Sequence, residues 1–462
     1  MKLNKYYSAL AMAVLANGAH AHAPTTTHDI TIRIGGASAQ DSNLEALIYN
    51  DLCEADANRD RYSFNNANNA YRAISCTTKS SGVTGLPAAK TLLVIKRSAG
   101  GSGFGVQPLV FDQAVDFMKV SSGCTQPSTV SGYTWNCTET ESVKADAGIS
   151  DVNPELFIGK NVPAPFTQDV VSTSTLEVRS VAGLSFGLAV SKNLRDELQR
   201  QLITAGKLPN TCTAGDETAP CMPSFSKHLA ASILGGSVTS WEQVSIDGTN
   251  SIATAPGAVA PTDTSIKICR REDGSGTQAT ANEVILHYPC SASAGIAPAS
   301  TISNPRVVEN SAAGNLDTCL SDSANWVFGF QSTERNAGRT LDYRFIKMDG
   351  VEPTIRNIWN GKNVFWSEAT IQWKKTLTAD PAAVMNVIAT NVSNVARTAA
   401  RNAAFSHSWG DAGYVALVSN GNTALQSWNA SQPITAYQHN IGGKVNNCQV
   451  PTLDSASTGT IE

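Results

Sequence analysis

Charge is scarce in this chain: Asp, Glu, Lys and Arg make up 16% of its 462 residues, and the formal net charge is −4. So thin a distribution offers neither the basic face a nucleic acid requires nor a polybasic patch for a membrane surface, so an anionic ligand would need a local pocket. Beyond the first two dozen residues, no apolar run approaches the ~18 residues that a bilayer-spanning helix needs. Close Cys-x-x-Cys pairs are missing. The histidines His28, His228, His287, His407 and His439 are scattered without His-x-x-x-His spacing, which argues against a zinc centre or dithiol redox chemistry. Asp56 to Asp60 looks like the opening of a calcium loop, but Arg61 stands where glycine is needed and Ala67 where the closing glutamate belongs. A solvated loop is the better reading there. Internal repeats and long low-complexity segments are absent too.

What is present at the amino end is a leader. Lys2 and Lys5 precede an apolar stretch from Ala9 to Ala16, and Ala21-His22-Ala23 ahead of Pro24 fits an A-x-A cleavage site, so residues 1–23 read as a secretory signal. No cysteine next to that site is available for a lipid, and the product is expected to be soluble, in the periplasm or outside the cell. Ten cysteines, an even number, agree with an oxidising compartment. Spacing favours Cys53–Cys76, Cys124–Cys137, Cys212–Cys221 and Cys269–Cys290, leaving Cys319 with Cys448, although sequence alone leaves connectivity open. A mature length of roughly 440 residues exceeds one ordinary core and implies about two or three domain-sized units, with two lobes as the natural expectation.

The densest chemistry lies at Arg271-Glu272-Asp273-Gly274-Ser275-Gly276-Thr277, after the apolar run Ile266 to Cys269 and before the helix-compatible Gln278 to His287. Strand, glycine turn and helix start follow in that order. A helix start leaves its first N–H groups unpaired and carries partial positive charge, so this turn suits an oxyanion, with hydroxyls from Ser275 and Thr277 and the planar fork of Arg271 beside it. Similar units recur. Ile30 to Ile34 leads into Gly35 to Ala39 and a helix over Ser42 to Tyr49; Thr91 to Ile95 leads into Arg97 to Gly105, with Leu109 to Met118 beyond. Ala145 to Asp151 is a third small-residue turn, leading into Pro154 to Ile158. Such repetition predicts an α/β fold with ligand at strand ends and helix starts. The Cys53 to Cys76 and Cys124 to Cys137 stretches, rich in Asn or in Ser and Thr, read as decorated surface loops. Further on, Leu184 to Val190, Trp326 to Phe330 and Tyr343 to Lys347 read as strands, and Leu194 to Ile203, Phe225 to Leu234 and Pro381 to Ala404 as helices.

With these residues in view, the chain resembles the phosphate-binding proteins of the periplasmic solute-receptor superfamily, which feed phosphate ABC transporters. Their R-x-D-G-S-G-T turn is matched by Arg271, Asp273, Ser275, Gly276 and Thr277, their D-F-G-x-S-D loop by Asp146 to Asp151, and their G-S-G loop by Gly101-Ser102-Gly103. Leu234 to Trp241 is similar to the family's L-G-K-I-T-x-W segment, and Lys347 to Thr354 to its K-x-D-G-V-x-P-T turn, in the same order along the chain. The first loop departs: Gly36-Ala37-Ser38-Ala39-Gln40-Asp41 stands where the family has G-A-G-A, then Thr or Ser, then F-P. The resemblance implies a periplasmic-binding-protein fold, with each lobe a mixed sheet flanked by helices and the ligand cleft between them. One lobe would be built from 24–178 and returning over 344–462, the other from 179–343. It implies phosphate held by Ser38, Ser102, Gly103, Asp146, Arg271, Ser275, Gly276 and Thr277, with Asp146 accepting the ligand's proton. A membrane ABC permease is the implied partner, the receptor itself is expected as a monomer, and no cofactor or metal is implied.

Two other classes compete. A phosphatase would use Ser102 or Ser275 as nucleophile, but no histidine lies near either in sequence to act as base. An exported adhesion or scaffold protein would keep the receptor fold and use its cysteine-framed insertions. Asp273 is expected to orient Arg271 or the turn backbone, since a second carboxylate would repel a doubly charged anion.

Overall fold

The computed structural model describes residues 22–55, 59–80, 83, 85, 86, 89–290, 295–300, 305–441 and 443–459. Almost all of the expected leader, and Asp56 to Asn58 of the calcium-like run, lie outside the described residues.

The molecule is a mixed α/β structure built on one fifteen-stranded sheet with helices on its faces. In spatial order the main path runs Arg306–Asn310, Lys267–Arg271, Val327–Ser332, Leu176–Ser191, Trp366–Lys374, Ala147–Ser150, Ile30–Gly36, Thr91–Arg97, Ala67–Thr77, Arg59–Phe64 and Trp135–Cys137. Two parallel sets matter. Ile30–Gly36 pairs in parallel with both Thr91–Arg97 and Ala147–Ser150. Lys267–Arg271 pairs in parallel with both Arg306–Asn310 and Val327–Ser332. Between them, Trp366–Lys374 and Leu176–Ser191 pair antiparallel with each other, and each pairs antiparallel with the set beside it. The two parallel sets therefore run in opposite directions along one continuous sheet.

The Leu176–Ser191 strand joins the halves of the sheet. Its first part pairs with Trp366–Lys374 and its second with Val327–Ser332 and Tyr343–Met348, and from Val181 onward every residue is buried. A strand covered on both faces loses the alternation of a half-exposed one, which is why it reads in sequence as a plain apolar run. Gly183 and Gly187 sit in it because side chains press against the backbone: a Cβ at Gly183 would lie 3.0 Å from the Trp366 ring, and one at Gly187 2.8 Å from Phe345. Pairing with Trp366–Lys374 shifts by one residue at Ala369/Thr370, a bulge opposite Val181.

Several expectations need correction. The Cys53 to Cys76 stretch is largely sheet: Arg59–Phe64 and Ala67–Thr77 form a hairpin around Asn65 and Asn66, and Tyr62 and Ser63 are buried while Arg59 and Arg61 are not. Asparagine marked the turn, and the polar faces of both strands hid the rest. Leu109 to Met118 divides into the end of a one-turn helix, Gln107–Val110, and a strand, Ala114–Met118, which pairs with Thr140–Lys144. The Pro381 to Ala404 region is two helices, Ala379–Val392 and Val395–Asn402, with Asn394 capping the second.

All ten cysteines are paired, as Cys53–Cys76, Cys124–Cys137, Cys212–Cys221, Cys269–Cys319 and Cys290–Cys448. The expected Cys269–Cys290 and Cys319–Cys448 pairs are wrong. Neighbouring residues on a strand point to opposite faces. Ile268 packs into the core that holds the Gly276–Leu286 helix, so Cys269 faces the other way, toward Leu316 and Leu320 of the Ala313–Leu320 helix that carries Cys319. Cys290, beyond the Gly276–Leu286 helix, is left to meet Cys448.

Candidate functional site

The carboxyl ends of the two opposed parallel sets face each other across one cleft of about 600 Å³. Ser38 follows Ile30–Gly36, Ser102 follows Thr91–Arg97, and Asp151 follows Ala147–Ser150; from the other set come Arg271, Ser275 through Thr277, Ala313, Ser332 and Glu334 through Asn336. Ligands of parallel α/β sheets gather outside the carboxyl ends of strands, where loops expose backbone N–H groups and helices begin.

Each side chain there is positioned by its loop. Ser275 is the N-cap of the Gly276–Leu286 helix, accepting a hydrogen bond from Gln278 N–H, which leaves its own hydroxyl proton to donate. Behind it the N–H groups of Gly276 and Thr277 are among those a helix leaves unpaired, and the helix dipole adds partial positive charge. Every residue of this helix is buried, and a chain of side-chain hydrogen bonds runs along it: Gln278 donates to Asn282, and Asn282 to Asn161, each at 2.8 Å. Arg271 is buried at the strand end. Its Nε and Nη2 donate to the carbonyls of Asn310 and Ser311, both at 3.0 Å, so the fork is aimed before any ligand arrives. Burial pulls its pKa down from the usual value, while Glu272 and Asp151 pull it back. Arginine stays charged throughout.

Asp151 faces this cationic corner. It is buried, Oδ1 has no hydrogen-bond partner among the described residues, and its backbone N–H donates to Ser102 Oγ at 3.1 Å. Burial, reinforced by the Glu334 carboxylate, pushes its pKa up to about 7, against opposing pulls from Arg271, the Ser102 hydroxyl and Lys96. The loops touch directly. Gly103 N–H donates to the Gly274 carbonyl at 2.8 Å, and a Cβ added to Gly276 would lie 2.6 Å from Asp151 Oδ2. Gly101, with φ of 66°, makes the turn that brings Ser102 in.

Of the residues expected at the site, Ser38, Ser102, Arg271, Ser275, Gly276 and Thr277 line this cleft together. Gly103 stands just behind it, holding the Gly274 turn. Asp146 lies elsewhere. Ala147–Ser150 is itself the strand, so Asp146 precedes it and Asp151 follows it, five residues or on the order of 16 Å away along extended chain. Asp146 Oδ2 accepts a hydrogen bond from Arg33 N–H at 2.8 Å and its own N–H donates to the Arg33 carbonyl, tying two strands together at the far end. Asp273 accepts from Arg270 at 3.5 Å rather than from Arg271. Asp41 turns away from the cleft into a buried network with Lys96 at 3.2 Å, Arg72 at 3.1 Å and the Ser98 hydroxyl at 2.6 Å.

Other lining residues went unanticipated: Glu334, Arg335, Arg397, Arg401 and Tyr414. Two signals were available, the polar run after the apolar strand Val327–Ser332 and the i, i+4 spacing of Arg397 and Arg401 on one helix. Among the described residues no group of His, Cys, Asp and Glu could hold a metal ion.

No protein-family model matches this chain, and no curated protein matches it. Solved structures do. One, from Clostridium perfringens, is assigned as a phosphate ABC transporter substrate-binding protein with bound phosphate; the match covers 80% of this chain and 97% of that one at 13% identity, with a TM-score of 0.42. An ABC-type phosphate transport receptor from Vibrio cholerae matches over 78% of this chain and 93% of its own, at 13% identity and TM-score 0.38. PstS from Borrelia burgdorferi matches over 81% and 97%, at 11% identity and TM-score 0.34.

Proposed function

We propose that this protein is an exported receptor that captures inorganic phosphate, as a protonated tetrahedral oxyanion, in the cleft between Ser102, Asp151 and the Arg271 to Thr277 turn. The carrying observation is the buried Asp151 carboxyl, unpartnered at Oδ1 among the described residues and set opposite an arginine and a helix start. A carboxylate inside an anion pocket is tolerable only when a proton lies between the two. Phosphate keeps a proton near neutrality, whereas sulfate brings none. Two unit charges about 3 Å apart at an effective dielectric near 20 repel by roughly 5 kcal/mol, and even half of that is nearly a hundredfold in affinity.

The proton can also reside on Asp151. Below its pKa of about 7 the neutral carboxyl can donate to a bare sulfate oxygen; above it the carboxylate repels one. Competition calorimetry on ligand-stripped protein should show phosphate preferred over sulfate by a ratio that widens from pH 5.5 to 8.5, and Asp151→Asn, whose amide can donate at any pH, should flatten that dependence. A wild type that takes sulfate as readily as phosphate at pH 8.5 would remove Asp151 from the site.

We read the chain as two lobes, 24–178 with 344–462 and 179–343, closing by hinge motion over the anion, with a membrane permease as the receiving partner. Five disulfides support export, and no helix among the described residues is long and apolar enough to cross a membrane. A receptor fits better than a hydrolase: no histidine lines the cleft among the described residues, and Ser102 Oγ is engaged by the Asp151 N–H. A chromogenic phosphomonoester left intact by the protein is the expected outcome.

A further inference from the structure

The cleft is far larger than its anion corner. A five-atom oxyanion occupies on the order of 100 Å³, a few times the roughly 30 Å³ share of a water molecule, against about 600 Å³ here. Volumes of about 300–1,000 Å³ are those of sites for organic ligands.

The remaining wall has its own chemistry. It is formed by the Val395–Asn402 helix and the segment after it, which present Ala400, Ala404 and Phe405 as an apolar surface beside Arg401. Two neighbouring arginines are already neutralised, Arg397 by Asp51 and Arg335 by Asp317. Arg401 is not: among the described residues no carboxylate lies within ion-pair distance of it. Its nitrogens donate to Gln40 Oε1 at 3.0 Å and to the Ala39 carbonyl at 3.3 Å, and its guanidinium lies 4.1 Å from the centre of the Tyr414 ring. Tyr414 in turn donates to the same Ala39 carbonyl at 2.9 Å. The cation is thus fixed on three sides by neutral groups and lines the cleft with no carboxylate in contact, Glu334 of the same cleft acting on it only from beyond ion-pair distance, an arrangement that leaves its fork open to an arriving anion.

We propose that the cleft takes an organic phosphate whose far end carries a second acidic group: the phosphate in the Arg271 to Thr277 corner, the carbon skeleton along Ala400, Ala404 and Phe405, and the second anion on Arg401. This rests on the anion corner being a phosphate site. A phosphate monoester loses its second proton at about pH 6 and then brings no more proton than sulfate does; below about pH 7 the Asp151 carboxyl supplies the proton between the two oxygens, so an ester enters that corner on the acid side of neutrality.

Calorimetry at about pH 5.5, where Asp151 holds its proton, on ligand-stripped wild type and on Arg401→Gln, with inorganic phosphate, glycerol 3-phosphate and 3-phosphoglycerate as probes, tests the assignment. Wild type should bind 3-phosphoglycerate roughly tenfold or more tighter than glycerol 3-phosphate, the size of one charge-assisted contact. Arg401→Gln should erase that preference, and Arg401→Lys, which keeps the charge and loses the fork, should restore part of it. If phosphate binds and both esters are excluded, or the two esters bind alike in wild type, the space is closed up around the free ion and the proposal is overturned while the phosphate site stands. If none of the three binds, both fall together.

Discussion

Lys96 is the charge most completely enclosed beneath the loop that carries Ser38. Its ammonium donates to the Gly36 carbonyl at 2.8 Å, to the Arg97 carbonyl and Ser98 hydroxyl at 3.0 Å, and lies 3.2 Å from Asp41. Removing one member of a buried ion pair leaves the other uncompensated, typically at about 3–5 kcal/mol. Asp41 keeps Arg72 as a second partner at 3.1 Å, so Lys96→Met should lower stability by less than that in denaturant titration, whereas Asp41→Asn, which strips Lys96 of its carboxylate, should cost the larger share. Gly276 is constrained differently. A methyl there collides with Ser102 and Asp151, so Gly276→Ala should weaken phosphate binding at least tenfold while costing little in helix propensity, where alanine is the better residue. Calorimetric affinity read beside the melting temperature separates the two. At this scale the sequence was informative about residue type and ambiguous about position. The stretch Asp146 to Asp151 offered two aspartates, and only the knowledge that Ala147–Ser150 is strand rather than turn tells which one reaches the cleft. Gly148 and Ser150 concealed that strand, since small polar residues seldom mark one.

Among the elements, the Gly276–Leu286 helix carries the anion turn at its start and is anchored beyond its end by Cys290–Cys448, a bridge spanning 158 residues. Long closed loops lose the most denatured-state entropy, about 4–5 kcal/mol in the chain-entropy picture. The double variant Cys290→Ser/Cys448→Ser should lower the melting temperature and leave phosphate affinity within a few-fold, because Ser275 to Thr277 sit at the opposite end of the helix. A tenfold loss of affinity would show that the far anchor governs the turn. Peptide mapping of the unreduced protein should recover Cys269 linked to Cys319. The strand, turn and helix order at 266–287 was readable because glycine, cap and apolar run coincide. The Arg59–Phe64 and Ala67–Thr77 hairpin was not, because its half-buried outer residues are as polar as those of a loop. Disulfide partners depended on which face of a strand each cysteine occupies, and spacing does not encode that.

For the whole molecule, the buried acids of the cleft set a pH dependence. Asp151 titrates at about 7 in the native state against a usual 3.8, and burial likewise raises Glu334. Between those values the native protein binds more protons than the unfolded chain, so stability contributed by Asp151 is lost as pH rises from about 4 to 7, by up to roughly 1.4 kcal/mol per unit. Melting temperatures in phosphate-free buffer should fall across that window in the wild type and fall less in Asp151→Asn; parallel curves would place the proton elsewhere. Phosphate at about 100 times its dissociation constant should restore roughly 2.7 kcal/mol. The α/β class was legible from repeated strand, turn and helix units. The opposed run of the two parallel sets was not, being a property of pairings between strands distant in the chain, such as Ser150 with Thr370 and Ser185 with Trp366.

The Leu176–Ser191 strand is common property of both halves of the sheet, and the expected lobe boundary at 178 falls inside it. Neither half could be expressed, shuffled into another protein or inherited alone without leaving its neighbour an open sheet edge stripped of its central strand. Melting should accordingly be a single calorimetric event, and a chain severed near Val181 should recover its shape only when both fragments refold in each other's presence.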